Sequence, residues 1–356
     1  MFAALVTRYV LRGWKHVTGV LIDLGTGNPI NVHKNGFSLL MLCDGETDLD
    51  AVSLTAEDKA LLTEYVDSGY IRLLYEPDPI QEFQRYRRYG NNLMESVMWS
   101  VTGRCNCRCR HCYVDAPDAL LGELSTEQCF SIIDQMADCG IPRVELTGGE
   151  PLVRDDFWQI VDRLIKKHIL ITQIYTNGLL LTEKTLDAFE QRGLKPQIRF
   201  SFDGIGWHDW MRGIAGAESA VMEAITACAR RGFPVGAAMC LHKGNKETLR
   251  STVNLLASLG VSSLRAGSIL PTPLWREHAD GNDMDIREYY EAALEYIPFF
   301  YKDGMPMDVL IGAVVELRKG STDYSCLPVH CSEPEKADKE FLCGAIRSCG
   351  YITPDG

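Results

Sequence analysis

The chain has 356 residues, enough for two or three domains that each bury a core of their own. Apolar residues make up 46% and charged residues 24%, the balance of a soluble globular protein rather than a disordered or fibrous one. With 36 basic against 48 acidic residues the net charge is −12, which argues against a nucleic-acid partner or an acidic membrane surface. The N-terminus MFAALVTRYVLRGW lacks a signal-peptide pattern, and no run approaches the roughly 18 apolar residues of a membrane helix. A cytoplasmic location with no membrane partner is therefore expected, and in that compartment the thirteen cysteines should be mostly reduced. Cys43, Cys129, Cys139, Cys228 and Cys240 stand singly in apolar stretches and read as small buried hydrophobes. The others crowd into 105–112 and 326–349, and clustered reduced thiols favour metal over disulfides.

In chain order, GVLID and NPINV read as short strands around a glycine-rich turn at Gly25–Gly27. KNGFSLLMLCDGE reads as a helix ending at Asp44–Gly45. TAEDKALLTEYVDSG is a second helix, capped by Thr55 with Asp58 three residues on and closed by Gly69. YIRLLYE follows as a strand, and EPDP at 76–79 marks a boundary. The expected division is a small α+β domain at 1–76, a polar aromatic linker helix at 77–93, a strand–helix repeat at 94–310, and a separate segment at 311–356.

From residue 94 the pattern becomes strand, loop, helix. ESVMWSV, RVELT, LITQIYT, QIRFSF, VGAAMCL and SLRAGSI are the strands, with helices beginning near Ser125, Arg154, Thr182, Gly216 and Asn245. Six strands alternating with helices imply a parallel α/β sheet, open or curled into part of a barrel. Ligands collect at the C-terminal ends of such strands. The loops there carry CNCRCRHC, GGEP, TNG and the Ser201 and Asp203 of SFDG, so one face gathers the unusual chemistry.

CNCRCRHC packs four cysteines into eight positions, 105–112. Structural zinc prefers two separated C-x2-C knuckles around one ion. A thiol redox pair fits Cys109–Cys112 but leaves Cys105 without a role. As C-x3-C-x2-C, Cys105, Cys109 and Cys112 can hold three irons of a [4Fe-4S] cluster and leave the fourth open.

That spacing resembles the signature of the radical S-adenosylmethionine (SAM) enzymes, and the resemblance extends over roughly residues 96–270. LTGGEP at 146–151 resembles the motif whose backbone meets the SAM amine; YTNG at 175–178, SFDG at 201–204 and HDWMRG at 208–213 are similar to motifs of the peptide- and protein-maturing subfamily. The resemblance implies a partial (β/α)6 barrel, a [4Fe-4S] cluster on Cys105, Cys109 and Cys112, and cleavage of SAM to a 5′-deoxyadenosyl radical. It implies Gly148, Gly149 and Glu150 at the amine, and Thr176 and Asn177 in the third-strand loop. Ser201 and Arg212 are the carboxylate candidates, Asp203 a ribose ligand or a turn cap at Gly204, and His111 and Tyr113 neighbours of adenine or cluster. Cys107 is extra: a loop residue pointing away from the cluster is the simpler expectation, a hydrogen-atom donor the alternative.

Residues 1–76 resemble the small winged-helix-like PqqD modules that recognise leader peptides of ribosomally made precursors, the leader adding a strand to a sheet edge. CGAIRSCGYITPDG resembles the opening of the SPASM domain, with Cys343 as an auxiliary [4Fe-4S] ligand and further cysteines expected past Gly356. The function thus implied is crosslinking of a precursor peptide by a thioether or C–C bond, with electrons from a flavodoxin or ferredoxin. Peptide epimerisation, formylglycine-type protein maturation and a non-catalytic iron–sulfur sensor are the alternatives.

Overall fold

Two unrelated periodicities organise the chain. The computed structural model describes all 356 residues except 33, 117, 313–314, 323–324 and 327–347. The first part is built on β1 (Phe2–Leu5), β2 (Tyr9–Trp14), β3 (Val17–Asp23), β4 (Pro29–Asn31), α1 (Lys34–Met41), α2 (Ala56–Asp67) and β5 (Ile71–Leu74). β1 pairs antiparallel with β5, while β4, β3 and β2 form an antiparallel sheet in that order. Thr55 and Asp58 make the expected capping box on α2, each side chain satisfying the other residue's free backbone N–H. Leu11, Leu21, Leu39, Leu40, Leu62 and Tyr65 bury together here, a core separate from that of the following domain.

The expected linker helix does not form. Residues 82–84 make one 3-10 turn, and β6 (Arg87–Arg88) joins β2 as a parallel edge strand. The QRYRRYG run has no apolar stripe of helical spacing to bury, and Gln84 is instead drawn into the small domain, its amide donating to the carbonyls of Leu5, Val6 and Tyr9. The two parts touch directly: Trp14 Nε1 donates to the Cys139 carbonyl at 3.1 Å, and Arg143 Nη1 to Asn28 Oδ1 at 2.7 Å.

Among the described residues the second part is a ten-stranded open sheet. Its strands are β7 (Ser96–Ser100), β8 (Arg143–Thr147), β9 (Leu170–Thr176), β10 (Gln197–Ser201), β11 (Val235–Leu241), β12 (Ser263–Ser268), β13 (Asp308–Ile311), β14 (Val315–Leu317), β15 (Ser325–Cys326) and β16 (Cys349–Ile352). From β7 to β13 neighbours in sequence are neighbours in the sheet and run parallel; β16 adds in parallel beside β7, and β14 and β15 continue the far edge antiparallel.

Helices cross between the strands: α3 (Thr126–Asp138), α4 (Phe157–Lys166), α5 (Glu183–Gln191), α6 (His208–Arg212), α7 (Ala217–Arg230), α8 (Leu249–Ser258), α9 (Pro273–His278) and α10 (Ile286–Lys302). Their buried positions repeat at three and four residues, as in Phe157, Ile160, Val161 and Leu164 of α4. Outward strand residues such as Val144, Leu146, Ile198 and Phe200 meet them in the main core. Inward positions along the same strands (Glu145, Gln173, Tyr175, Arg199, Arg265) are polar, so the concave side of the sheet is a lumen rather than a packed core. Cys43, Cys129 and Cys228 are buried among apolar side chains. Among the described residues no helix is long and apolar enough to cross a membrane.

Candidate functional site

A cavity of about 360 Å³ opens at the C-terminal ends of β7 to β12. Cys105, Cys107, Cys109, His111, Cys112, Tyr113, Gly148, Gly149, Thr176, Asn177, Ser201 and Arg212 all line it. Four loops, distant in sequence, therefore converge, and their backbones lock together. Thr102 Oγ1 and the Gly103 N–H donate to Glu123, which also contacts Arg154 at 3.3 Å, anchoring the root of the cysteine loop. The Gly149 N–H donates to the Thr102 carbonyl at 2.8 Å and the Glu150 N–H to the Arg104 carbonyl at 2.9 Å. On the other flank, the N–H groups of Arg108 and Arg110 donate to the carbonyls of Arg212 and Met211. Gly149 is required by this approach: a Cβ there would lie 2.2 Å from the Arg104 carbonyl oxygen.

The sulfur atoms show how well a cluster would fit. Cys105 Sγ accepts from the Cys107 N–H at 3.3 Å and lies 3.8 Å from Asn177 Nδ2. Cys109 Sγ faces Arg212 Nη1 at 3.5 Å, and Cys112 Sγ accepts from the Ala116 N–H at 3.4 Å. N–H donors at thiolate sulfurs stabilise the anionic form and tune a bound cluster. The neighbouring Cys107 thiol and then Arg212 bring Cys109 down to about 6, against burial. Burial pushes the Cys112 thiol up.

Cys107 departs from expectation. It is buried and lines the cavity between Cys105 and Cys109 rather than pointing away. No N–H group donates to its sulfur among the described residues, which separates it from the other three.

Arg212 and Asp203 form the charged heart of the site. Arg212 Nη2 lies 2.7 Å from Asp203 Oδ2, with the carboxylate fully buried. The contact is ionic rather than an aligned hydrogen bond, since Oδ2 and Arg212 Nε both lack a hydrogen-bond partner. Burial opposes ionisation of Asp203, yet Arg212 and then His208 hold it well below the usual carboxylate range. Asp203 Oδ1 accepts the Cys240 N–H at 3.2 Å, so the side chain ties β10 to β11 instead of capping the turn at Gly204, and it does not line the cavity. His111 is buried enough to be lowered to about 4, so it is a neutral ring at neutral pH.

Glu150 also differs from expectation. Its carboxylate turns away from the cavity and accepts from Thr176 Oγ1 and from the Asn177 N–H at 2.7 Å. Burial raises it to about 7 in spite of these donors. It braces the third-strand loop, and Asn177 in turn donates to Asn106 at 2.7 Å, stapling that loop to the cysteines.

Residues missed by sequence reasoning include Cys240, assigned above to an apolar core. It lines the cavity with Ala238, Ser268 and Tyr175. Strand alternation is the signal that could have found it, since Ala238 and Cys240 share the face of β11 in register with the inward residues of β10 and β12. Cys343 lies outside the described residues. Cys349 sits at the opposite end of β7, 3.2 Å from Ser96 Oγ, away from this cavity.

Residues 99–256 match the family described as the Radical SAM superfamily. This part of the chain is similar to radical SAM domains. That superfamily consists of enzymes that use a [4Fe-4S] cluster and SAM, and the three donor-supported thiols, with Arg212 beside them and its Nε without a hydrogen-bond partner, fit both groups.

Pre-heme d1 synthase of Dinoroseobacter shibae is 31% identical over 196 residues, 54% of this chain and 46% of that protein. Sporulation killing factor maturation protein SkfB of Bacillus subtilis is 26% identical over 262 residues, 73% of this chain and 59% of that protein. The chain thus spans about half the length of the curated relatives it matches. Among solved structures, Streptococcus suis SuiB bound to precursor peptide SuiA superposes with a TM-score of 0.60 at 11% identity, covering 85% of this chain and 71% of that one, a likeness of fold.

Proposed function

We propose that the chain matures a ribosomally made precursor peptide by radical SAM chemistry, abstracting hydrogen from a Cα or side-chain carbon and forming a thioether or C–C crosslink. The observation that carries this is the convergence of Cys105, Cys109 and Cys112 with Gly148, Gly149, Ser201 and Arg212 on one cavity. When bound, the cluster and SAM supply a 5′-deoxyadenosyl radical, which abstracts a hydrogen atom from the substrate. The chain's own residues bind and orient. The backbone of Gly148 and Gly149 meets the SAM amine, Ser201 and Arg212 take its carboxylate, and neutral His111 offers an apolar face to the adenine. Thr176 and Asn177 hold the floor through Glu150, and Tyr113 stands at the mouth.

The peptide substrate is supported by relatives such as SkfB, named for maturation of a sporulation killing factor, and by the separate core of residues 1–76. We assign that small domain to leader recognition, with a flavodoxin- or ferredoxin-type protein as electron donor. An auxiliary [4Fe-4S] cluster involving Cys343 belongs to the same proposal. A tetrapyrrole precursor is the second reading, drawn from the relative named for pre-heme d1 synthesis.

The test is anaerobic co-expression with short peptides encoded beside the gene, read by high-resolution mass spectrometry. Loss of two hydrogens that depends on Cys105, Cys109 and Cys112 is the expected result. Deuterium gained from heavy water at unchanged hydrogen count would establish epimerisation instead. A chain that cleaves SAM yet leaves every such peptide unchanged would overturn the peptide assignment.

A further inference from the structure

The lumen below the cofactor cavity carries a guanidinium that no described residue pairs. Parallel strands in register turn the same side chains inward, so Tyr175, Arg199 and Gly236 form one layer, and Ser201, Ala238 and Arg265 the next. Ser201, Ala238 and Tyr175 belong to the cavity wall itself. Arg265 is therefore level with that wall, and Arg199 one inward step beneath it.

Arg199 is held rigidly and almost fully buried. Its guanidinium donates to Gln173 Oε1 and to the Ala237 carbonyl, each at 3.1 Å, and to Gln197 Oε1 at 3.3 Å, all neutral acceptors. It lies across Gly236, where a Cβ would come within 3.1 Å of its Cζ, so the missing side chain makes its space. Arg265 is exposed to the lumen and has no hydrogen-bond or ion-pair partner among the described residues. The acidic groups on this face are already engaged: Glu145 by Gln173 Nε2 at 3.3 Å and the Tyr175 hydroxyl at 3.1 Å, Glu316, two strands along in the layer of Arg265, by Arg318 at 3.1 Å, and Asp308, in the layer of Arg199, by the Lys319 N–H at 2.8 Å. Beside Arg265 on the same face is Gly267, where an added Cβ would meet nothing within 4 Å. The result is an open space lined by an unpaired guanidinium, with a second one fixed beneath.

We infer that Arg265, backed by Arg199, is an anion-binding subsite that receives a carboxylate of the substrate, an aspartate or glutamate side chain close to the modified residue. This rests on the peptide substrate proposed above. Guanidinium is suited to the role because its fork can meet both carboxylate oxygens. It also fixes the peptide register: an acidic residue anchored at Arg265 places a neighbouring residue beside the cavity wall at Ala238 and Ser201.

The experiment is calorimetry on the SAM-loaded holoenzyme under anaerobic conditions at low salt, with N-acetyl-glutamate amide and N-acetyl-glutamine amide as probes. These probes differ in charge and hardly in shape. The glutamate probe should bind about tenfold tighter, as a charge-assisted contact predicts, and the preference should shrink with added salt. Arg265→Gln should abolish the preference, and Arg265→Lys should restore part of it. Equal affinities in the unaltered enzyme, or a preference that survives Arg265→Gln, would overturn the subsite. SAM cleavage by the unaltered enzyme is scored separately. A charge preference without cleavage would leave the subsite standing and remove the radical function, and the reverse outcome would do the opposite.

Discussion

Replacing Asp203 by Asn tests the charged heart of the site most directly. The carboxylate is fully buried, and Arg212 Nη2 lies 2.7 Å from Oδ2. At an effective dielectric of about 20 a pair at this distance attracts by roughly 6 kcal/mol. Part of that is offset by desolvation, and Asn keeps an acceptor for the Cys240 N–H. What the change leaves behind is a buried guanidinium whose remaining side-chain hydrogen bond among the described residues is to Cys109 Sγ at 3.5 Å. Breaking a buried pair in this way costs about 3–5 kcal/mol, and the remaining thiolate contact puts the expectation near the lower end, about 3 kcal/mol.

In a domain of this size that corresponds to a melting temperature lower by about 6–10 °C. The assay is anaerobic thermal unfolding followed by circular dichroism, without SAM. The pH sign follows from the depressed pKa of Asp203. Its contribution is fully present above the unfolded carboxylate value of about 3.9 and is lost as pH falls further. The difference between Asp203→Asn and the unaltered protein should therefore be constant from about pH 5 to 8 and narrow under acid. The double variant Asp203→Asn, Arg212→Met should melt higher than the single Asp203→Asn, because it removes the stranded charge. A single variant that melts within about 1 °C of the unaltered protein would refute the pairing.

Glu150 should act in the opposite sense: its folded pKa is raised to about 7, so its contribution is present below the unfolded value and is lost as pH rises through 7. Stability measured from pH 4 to 8 should fall by about 3 kcal/mol on this account, and Glu150→Gln should flatten the profile. Gly149→Ala should push the GGEP loop off the cysteine loop, because its Cβ would lie 2.2 Å from the Arg104 carbonyl oxygen; SAM affinity measured by equilibrium dialysis should drop at least about tenfold, and unaltered affinity would contradict the close approach. Iron analysis after anaerobic reconstitution should show loss for each of Cys105→Ala, Cys109→Ala and Cys112→Ala, whereas Cys107→Ala should retain iron. Equal loss in all four would mean that donor support does not distinguish the ligands.

Local sequence was enough for the strand–helix repeat, because each element carries its own signal. The alternation in RVELT, the capping box of Ser125 and Gln128, and the three-and-four spacing in α4 are all short-range facts. The cysteine ligands were legible for a related reason: C-x3-C-x2-C lies on one loop, and parallel topology places that loop at the ligand-binding end of the sheet. The segment 77–93 forms no helix, against its sequence pattern, because its fate depends on where Gln84 and Arg87 find partners in another part of the chain.

Tertiary structure alone decided the direction of individual side chains. Glu150 sits within a motif beside the cavity, yet its carboxylate faces the Asn177 N–H, since a buried acid goes where donors are available. Cys107 turned inward and Cys240 left the apolar core for the cavity wall; both outcomes depend on strand register and loop docking. The unanswered charge of Arg265 has the same origin. In sequence it is one polar residue in a strand, and only the registers of β10, β11 and β12 bring it level with Ser201 and Ala238 at the edge of the cofactor cavity. Short-range patterning sets which elements form and where their loops emerge, whereas register across five or six strands determines which side chains meet.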